Sequence, residues 1–342
     1  MCSGAASVQY GRTVPNDGSS VFIGHGDNNM KKYLKAIASA AVCAVILLSG
    51  CSANDQGGSG SPAATSVSGS YTYPEGYVRA AAPEEAKIYK STDAGNSGNV
   101  TIEKGDTYAV ISIKDYGTMK IKLYPKEAPY AVQNFIDLAN AGTYNGRNFH
   151  RIIDDFMAQG GSVNGSGQGG SPAEGKPFRN EINTSLRHYY GALCFASAVG
   201  NISDQFYIVN SKKTTDDLQS TYTENVDQLR QAAATYNNLA EQSRGQFSFM
   251  IYYQSNEQFY NEYADGTQAM NDTYTDAVGE TYRTKGGVPF LDGGYTVFGQ
   301  TVEGFEVLDK ISAVEKVDDG NGNISKPATD IIIDKVEIFT AE

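Results

Sequence analysis

The chain has 342 residues, 40% of them hydrophobic, and a formal net charge of −12, which is enough length to bury a core in one large or two small domains. The acidic balance excludes nucleic acid as a partner, because phosphate backbones select basic surfaces. Cys2, Cys43, Cys51 and Cys194 fit neither a disulfide framework nor paired zinc-ligand spacing, and His25, His150 and His188 are as scattered, so no metal site is expected.

Residues 1–29 are polar and read as neither signal nor domain, which makes Met30 the simplest true start. From Met30 to Lys35 runs a short basic head, followed by the apolar run Ala36 to Leu48 and then Ser49-Gly50-Cys51. This order predicts a secretory signal peptide over 30–50, too short and wrongly flanked for a stable transmembrane span. Leu48-Ser49-Gly50-Cys51 resembles the bacterial lipobox, which implies cleavage before Cys51 and diacylation of its sulfur. The protein is then expected outside the cytoplasm, lipid-anchored through Cys51 to the outer face of the cell membrane. Residues 52–70 are Gly, Ser, Ala, Thr and Pro with almost no large apolar side chain, a flexible tether. Tyr71 to Ser97 is more mixed, with a short helical piece predicted at Glu84 to Lys90, and is expected to be weakly ordered or to pack on the domain surface; the whole of 51–98 is assigned to tether and weakly ordered chain.

The domain is placed at 99–342, with regular structure from Thr107. Tyr108–Lys114 and Met119–Leu123 predict a hairpin across Asp115-Tyr116-Gly117-Thr118. Val132 to Ala139 is amphipathic at helical spacing, with Pro129 in its first turn and Gly142 past its end. Further β-type runs lie at 149–153, 157–159, 191–197, 205–209, 295–300 and 331–339, and a second helix at 304–314. Many short strands, few helices and no strand-helix alternation predict a mainly β fold, an antiparallel barrel with helices at its ends. The stretch 212–285 breaks that rhythm. Tyr222, Val226, Leu229, Ala233, Tyr236 and Ala240 recur at three and four after the capping candidates Thr214 and Thr215, and Gly245 closes the helix. Thr267 to Tyr282 predicts another helix, with the Tyr- and Phe-rich piece 247–263 packed between the two, so an inserted helical segment is expected.

Two glycine-rich patterns carry little. Gly165 to Gly170 fits G-x-G-x-x-G, but Pro172 follows where a helix should open, and Pro177 replaces the hydroxyl residue that a P-loop needs. Asp319, Asn321, Asn323 and Asp330 partly imitate a calcium loop, but Ile324 stands where the sharp turn requires Gly, so a β-turn is the better reading. Cys194 reads as a small buried hydrophobe.

The stretch Phe149 to Gly161 is the chemical centre. It places Arg151, Gln159 and several large apolar residues within a few positions and holds no Ser, Cys or Lys nucleophile. By strict alternation His150 lies on the opposite face from Phe149 and Arg151, as a hydrogen-bonded structural histidine. A permanent cation and an amide beside apolar surface suit binding and polarising a peptide group, not cutting it.

Phe149-His150-Arg151-Ile152-Ile153, Phe156-Met157-Ala158-Gln159-Gly160-Gly161, Gln205-Phe206-Tyr207-Ile208 and Leu291-Asp292-Gly293-Gly294-Tyr295-Thr296-Val297-Phe298-Gly299 together resemble the signature blocks of the cyclophilins, peptidyl-prolyl cis-trans isomerases. With the lipobox and the insertion, the resemblance is nearest to the cyclophilin-type lipoproteins of Gram-positive bacteria. It implies a closed eight-stranded antiparallel barrel with a helix over each end, proline-containing polypeptides as substrates and no cofactor. By position, Arg151 matches the family's catalytic arginine, Phe156, Met157, Tyr207 and Leu291 match walls of the proline pocket, and Gln159 and Gln205 match its polar contacts. Ala196 and Ser197 fall where the family has an Ala-Asn pair that binds substrate backbone. Ser197 for Asn, Tyr207 for Phe, Phe290 for Trp and Tyr295 for His are departures, and without an indole N–H at Phe290 weak binding of cyclosporin-type inhibitors is implied. The implied activity is isomerisation of X-Pro bonds in exported proteins. The rival is a non-catalytic proline-binding or chaperone module that recruits a partner through the insertion.

Overall fold

A computed structural model describes residues 71–342. The expected signal peptide, the expected lipid site Cys51 and the expected tether to residue 70 lie outside the described residues. The elements in chain order are β1 (Lys87–Tyr89), β2 (Thr107–Ile113), β3 (Gly117–Leu123), α1 (Pro129–Asn140), β4 (Asn148–Ile153), β5 (Met157–Gly160), β6 (Phe178–Arg179), β7 (Glu181–Asn183), β8 (Ala192–Ala198) and β9 (Asn201–Val209). After them come α2 (Leu218–Gln242), α3 (Phe247–Asp272), α4 (Asp276–Lys285), β10 (Val297–Glu303), α5 (Phe305–Ser312), β11 (Lys316–Asp318), β12 (Ile324–Pro327) and β13 (Ile331–Thr340).

The main sheet runs β5-β4-β13-β2-β3-β10-β8-β9, and β5 pairs with β9 to close it into an eight-stranded antiparallel barrel. Closure removes the edges that an open sheet would expose. Alternation decides what fills it: Ala109, Ile111 and Ile113 of β2, and Met119, Ile121 and Leu123 of β3, all point inward and are buried. Helix α1, opened by Pro129, contributes Val132, Phe135, Ile136 and Leu138 to that core. Phe135 sits at its centre, with ring centroids of Phe298 and Phe206 at 5.2 and 5.9 Å.

Three sequence expectations are corrected. Lys87–Tyr89 is a strand and not part of a helix, because it pairs in parallel with β7, and Ile88 packs against a second buried cluster. Residues 71–98 pack on the domain surface, the second of the two readings given for Tyr71 to Ser97, so the ordered domain begins well before 99. Asn140 exchanges hydrogen bonds with the Tyr71 backbone, Tyr73 Oη donates to Asp137 at 2.9 Å, and Arg79 pairs with the same Asp137. The insertion is three helices, and 247–263 does not pack between two others: it is the first part of α3, which runs unbroken to Asp272. The break falls at Thr275, whose side chain caps α4 by accepting the Val278 N–H, and Asp217, not Thr214 or Thr215, caps α2 by accepting that of Ser220.

One buried cluster of the insertion lies at its root. Leu218, Tyr222, Met270, Val278 and Tyr282 cluster there with Ile182 and Tyr189. Toward the far end of the α2–α3 hairpin burial fades, and Phe247, Phe249 and Ile251 are 72, 55 and 43% exposed.

Candidate active site

The site lies on the outer face of the barrel, over β4, β5, β9 and β8. Arg151 is the direct partner of Gln159 across β4–β5, and Gln159 is the partner of Tyr207 across β5–β9, so the three form one row. A bulge puts Arg151 in that row. Phe149 pairs with Gly160 and Arg151 with Gln159, so His150 is an extra residue in the β4 ladder. Phe149 and Ile152 therefore both enter the core, while Arg151 faces outward. This corrects the expectation that Phe149 and Arg151 share a face, and it is a common use of a bulge, re-aiming one side chain at the rim of a barrel.

The polar groups are oriented in series. Arg151 Nη1 donates to Gln159 Oε1 at 3.3 Å, Gln159 Nε2 donates to Gln205 Oε1 at 3.0 Å, and Gln205 Nε2 donates to the carbonyls of Gly167 and Gly169 at 3.1 and 3.2 Å. Two carbonyls can be faced only by an amide NH2, so they fix the direction of the whole chain. The glycine-rich loop that imitates a nucleotide motif thus serves to hold Gln205. Burial pulls the Arg151 pKa down, and the Asp319 charge opposes it; the guanidinium still stays charged at any working pH. Asp319 reaches this position from the β11–β12 turn, where its carboxylate accepts from the Asn321 and Asn323 backbone and from Ser325. Among the described residues no group of His, Cys, Asp and Glu side chains could hold a metal ion.

The apolar walls are closely apposed. Phe156, Met157, Tyr207, Leu291 and Tyr295 are all buried, and the Phe290 ring stacks on Phe156 with centroids 5.7 Å apart. Asn210 sets the position of Phe156: its Oδ1 accepts the Phe156 N–H at 2.8 Å while its Nδ2 donates to the Ile153 carbonyl at 3.1 Å, clamping both ends of the β4–β5 turn. Phe290 is set from the insertion, since its carbonyl accepts from Asn225 Nδ2 of α2 and Tyr263 Oη of α3. Ala196 is skipped in the β8–β9 ladder, which passes from Phe195–Phe206 to Ser197–Ile202. The Ser197 Oγ is buried and has no hydrogen-bond partner within the protein.

Behind the pocket floor lies a network that the sequence did not reveal. Tyr207 Oη is 2.9 Å from His188 Nε2, and His188 Nδ1 is 2.8 Å from Asp292 Oδ1. Asp292 Oδ2 accepts from Tyr222 Oη at 2.6 Å and Tyr282 Oη at 2.7 Å, and Arg187 Nη1 donates to Tyr222 Oη at 2.8 Å. Burial works to raise the Asp292 pKa, but the His188 hydrogen bond and charge, Arg187 and Tyr222 outweigh it, and the net shift is downward. An ionised Asp292 can only accept, so Nδ1 of His188 donates to it and, in the neutral ring, Nε2 accepts the Tyr207 proton. The hydroxyl that distinguishes Tyr207 from the family's Phe thus ties the pocket floor to α2 and α4. His188 had drawn notice only as a scattered histidine, and Asp292 only as part of a motif.

His150 is the other titratable group beside Arg151. Burial first and the Arg151 charge second push its pKa down to about 4, against a smaller upward pull from the Asn148 backbone. Its Nδ1 has no hydrogen-bond partner, while the Asn148 backbone hydrogen bond acts on the ring and burial keeps it neutral. Cys194 is fully buried as expected, and burial pushes its thiol pKa well up. A cavity of about 570 Å³ lined by Arg79, Asp137, Arg147, Glu174 and Asp204 contains none of the residues of this row.

Residues 108–338 match the family described as cyclophilin type peptidyl-prolyl cis-trans isomerase/CLD. A Staphylococcus saprophyticus protein named as a peptidyl-prolyl cis-trans isomerase is 32% identical over 235 residues, covering 68% of this chain and 93% of its own length. A Staphylococcus aureus protein of the same name is 31% identical over 241 residues, covering 70% and 95%. The chain belongs to the cyclophilin-type peptidyl-prolyl cis-trans isomerase family. A crystal structure of a cyclophilin type isomerase from Cryptosporidium parvum, determined in the presence of the dipeptide Ala-Pro, aligns over 68% of this chain and 99% of that one, at 22% identity and a TM-score of 0.43.

Proposed function

We propose that this isomerase acts on X-Pro bonds of exported polypeptides and assists their folding at the outer face of the cell membrane, held there by acyl chains on Cys51. The observation that carries the catalytic part is the oriented series Arg151–Gln159–Gln205 beside the walls Phe156, Met157, Tyr207 and Leu291. Rotation about a prolyl amide faces a barrier of about 18–20 kcal/mol because the C–N bond has double-bond character. An apolar pocket binds the ring, Gln159 holds a substrate carbonyl, and the Arg151 guanidinium, directed at the prolyl nitrogen, draws its lone pair out of resonance. Binding the twisted amide more tightly than either planar isomer lowers the barrier without a covalent step or a cofactor. The basic head, apolar run and Cys51 in the sequence support export and the anchor.

In a protease-coupled assay on a short X-Pro peptide, Arg151→Ala is expected to lose about a hundredfold in kcat/KM, the scale of one transition-state donor, with unfolding unchanged. Turnover equal to wild type would remove Arg151 from the mechanism. For the anchor, Cys51→Ala is expected to move the protein from the membrane fraction to the medium; unchanged fractionation would refute it.

A further inference from the structure

Among the described residues every buried tyrosine but one has its hydroxyl hydrogen-bonded within the protein, for example Tyr144 to the Asp204 carbonyl, Tyr207 to His188 and Tyr263 to the Phe290 carbonyl. The exception is Tyr295. Its ring is 8% exposed, and its hydroxyl, on which burial and the Arg151 charge act, makes no hydrogen bond. Unlike Ser197 Oγ, that oxygen is not sealed off, so it opens to solvent. A tyrosine buried this deeply ordinarily has a partner for its O–H. Here its neighbours are Tyr207 and Arg151, two members of the row that faces the substrate.

The insertion sets this ring. Phe259 and Tyr263 of α3 meet it at centroid distances of 6.1 and 5.8 Å and interplanar angles of 73 and 87°, and Tyr207 meets it at 6.4 Å and 78°. Three edge-to-face contacts fix its plane. The same helix holds the backbone that carries it. Gly266 of α3 and Gly293 approach so closely that a Cβ on either would strike the backbone opposite, and Gly294 lies against the Tyr263 ring. Thr267 Oγ1 lies 2.9 Å from the Asp292 carbonyl.

We propose that the insertion acts on the reaction through Tyr295: Phe259 and Tyr263 are positioning residues that hold its hydroxyl in the cleft as a donor to a substrate backbone carbonyl outside the rotating amide. This rests on the isomerase reading above and assigns the insertion a part in that same site. The neighbouring Arg151 cation turns the hydroxyl dipole with its oxygen inward and its hydrogen outward, so a donor is what the substrate meets. A donor on the carbonyl of the rotating amide would deepen the C–N double-bond character and raise the barrier. The productive acceptor is therefore a neighbouring carbonyl, which is held equally in the planar and twisted states. Such uniform binding lowers KM and leaves kcat alone.

The test measures kcat and KM of the full chain on an X-Pro tetrapeptide in the protease-coupled assay, for wild type, Tyr295→Phe, Phe259→Leu and the double variant. Tyr295→Phe removes one oxygen and is expected to raise KM about fivefold at unchanged kcat, the scale of one uncharged hydrogen bond. Phe259→Leu is expected to raise KM by a smaller factor in the wild-type background and by none where residue 295 is already Phe. A wild-type KM for Tyr295→Phe overturns the proposal. So does an equal effect of Phe259→Leu in both backgrounds, which would make α3 a support of the fold alone. A loss confined to kcat would put the hydroxyl on the rotating amide and overturns the assigned acceptor. Tyr263→Leu carries the same comparison if Phe259→Leu does not fold. Full turnover by Arg151→Ala would instead defeat the isomerase mechanism, a result separate from any of these.

Discussion

In the barrel, Phe135, Phe195, Phe206 and Phe298 are sealed from solvent and pack ring against ring; at the tip of the insertion, Phe247, Phe249 and Ile251 face water. The same residue types stabilise the fold in one region and are left available in the other. The two regions are joined by hydrogen bonds. At the root of the insertion Tyr222 and Tyr282 share Asp292 with His188, and Asn225 and Tyr263 hold the Phe290 carbonyl. The insertion therefore forms part of the frame of the pocket at one end and remains an open surface at the other, which a simple appended domain would not do.

Unfolding measurements separate the regions most strongly. Phe135→Ala removes a fully buried ring from the centre of the barrel and is expected to cost about 3–5 kcal/mol in denaturant unfolding, whereas Phe247→Ser at the exposed tip is expected to stay within about 0.5 kcal/mol of wild type. Equal losses would erase the distinction between core and surface aromatics.

Acid is expected to act through the barrel as well. The folded pKa of His150, about 4, lies below its ordinary 6.5, so as pH falls the unfolded chain binds the proton first. Stability from this group is complete above about pH 6.5 and is lost between there and about pH 4, up to about 3 kcal/mol. His150→Gln should flatten that dependence in unfolding curves taken from pH 7 to 4.5; an unchanged slope would mean that another group carries it.

A smaller effect tests the junction. Tyr207→Phe leaves His188 Nε2 unpaired in a buried site and is expected to cost about 1–2 kcal/mol. Combined with Tyr222→Phe in a double-mutant cycle, it should show a coupling of at least about 0.5 kcal/mol. Strict additivity would show that the pocket floor and the insertion are independent.

The local signals were the legible ones. Alternation in β2 and β3, Pro129 ahead of an amphipathic run, and the blocks around Arg151, Gln205 and Leu291 led to the barrel, the α1 helix and the family, and the structure has the first two where the sequence placed them. Where the sequence misled, a long-range partner was responsible. Lys87–Tyr89 is a strand because β7 offers an edge; residues 71–98 are ordered because Asn140 and Asp137 bind them; α3 runs unbroken to Asp272 because packing against α2 supports it. The orientation of Arg151 belongs with these. Alternation has period two, so one bulged residue reverses every face assignment on one side of it, and whether a ladder bulges depends on the neighbouring strand. By itself the sequence determined which residues could polarise a prolyl amide. Only the tertiary structure decided that Arg151 faces out while Phe149 faces in, that Gly167 and Gly169 orient the amide series, and that Asp292 joins pocket to insertion, because each depends on groups distant in the chain being brought within hydrogen-bonding range.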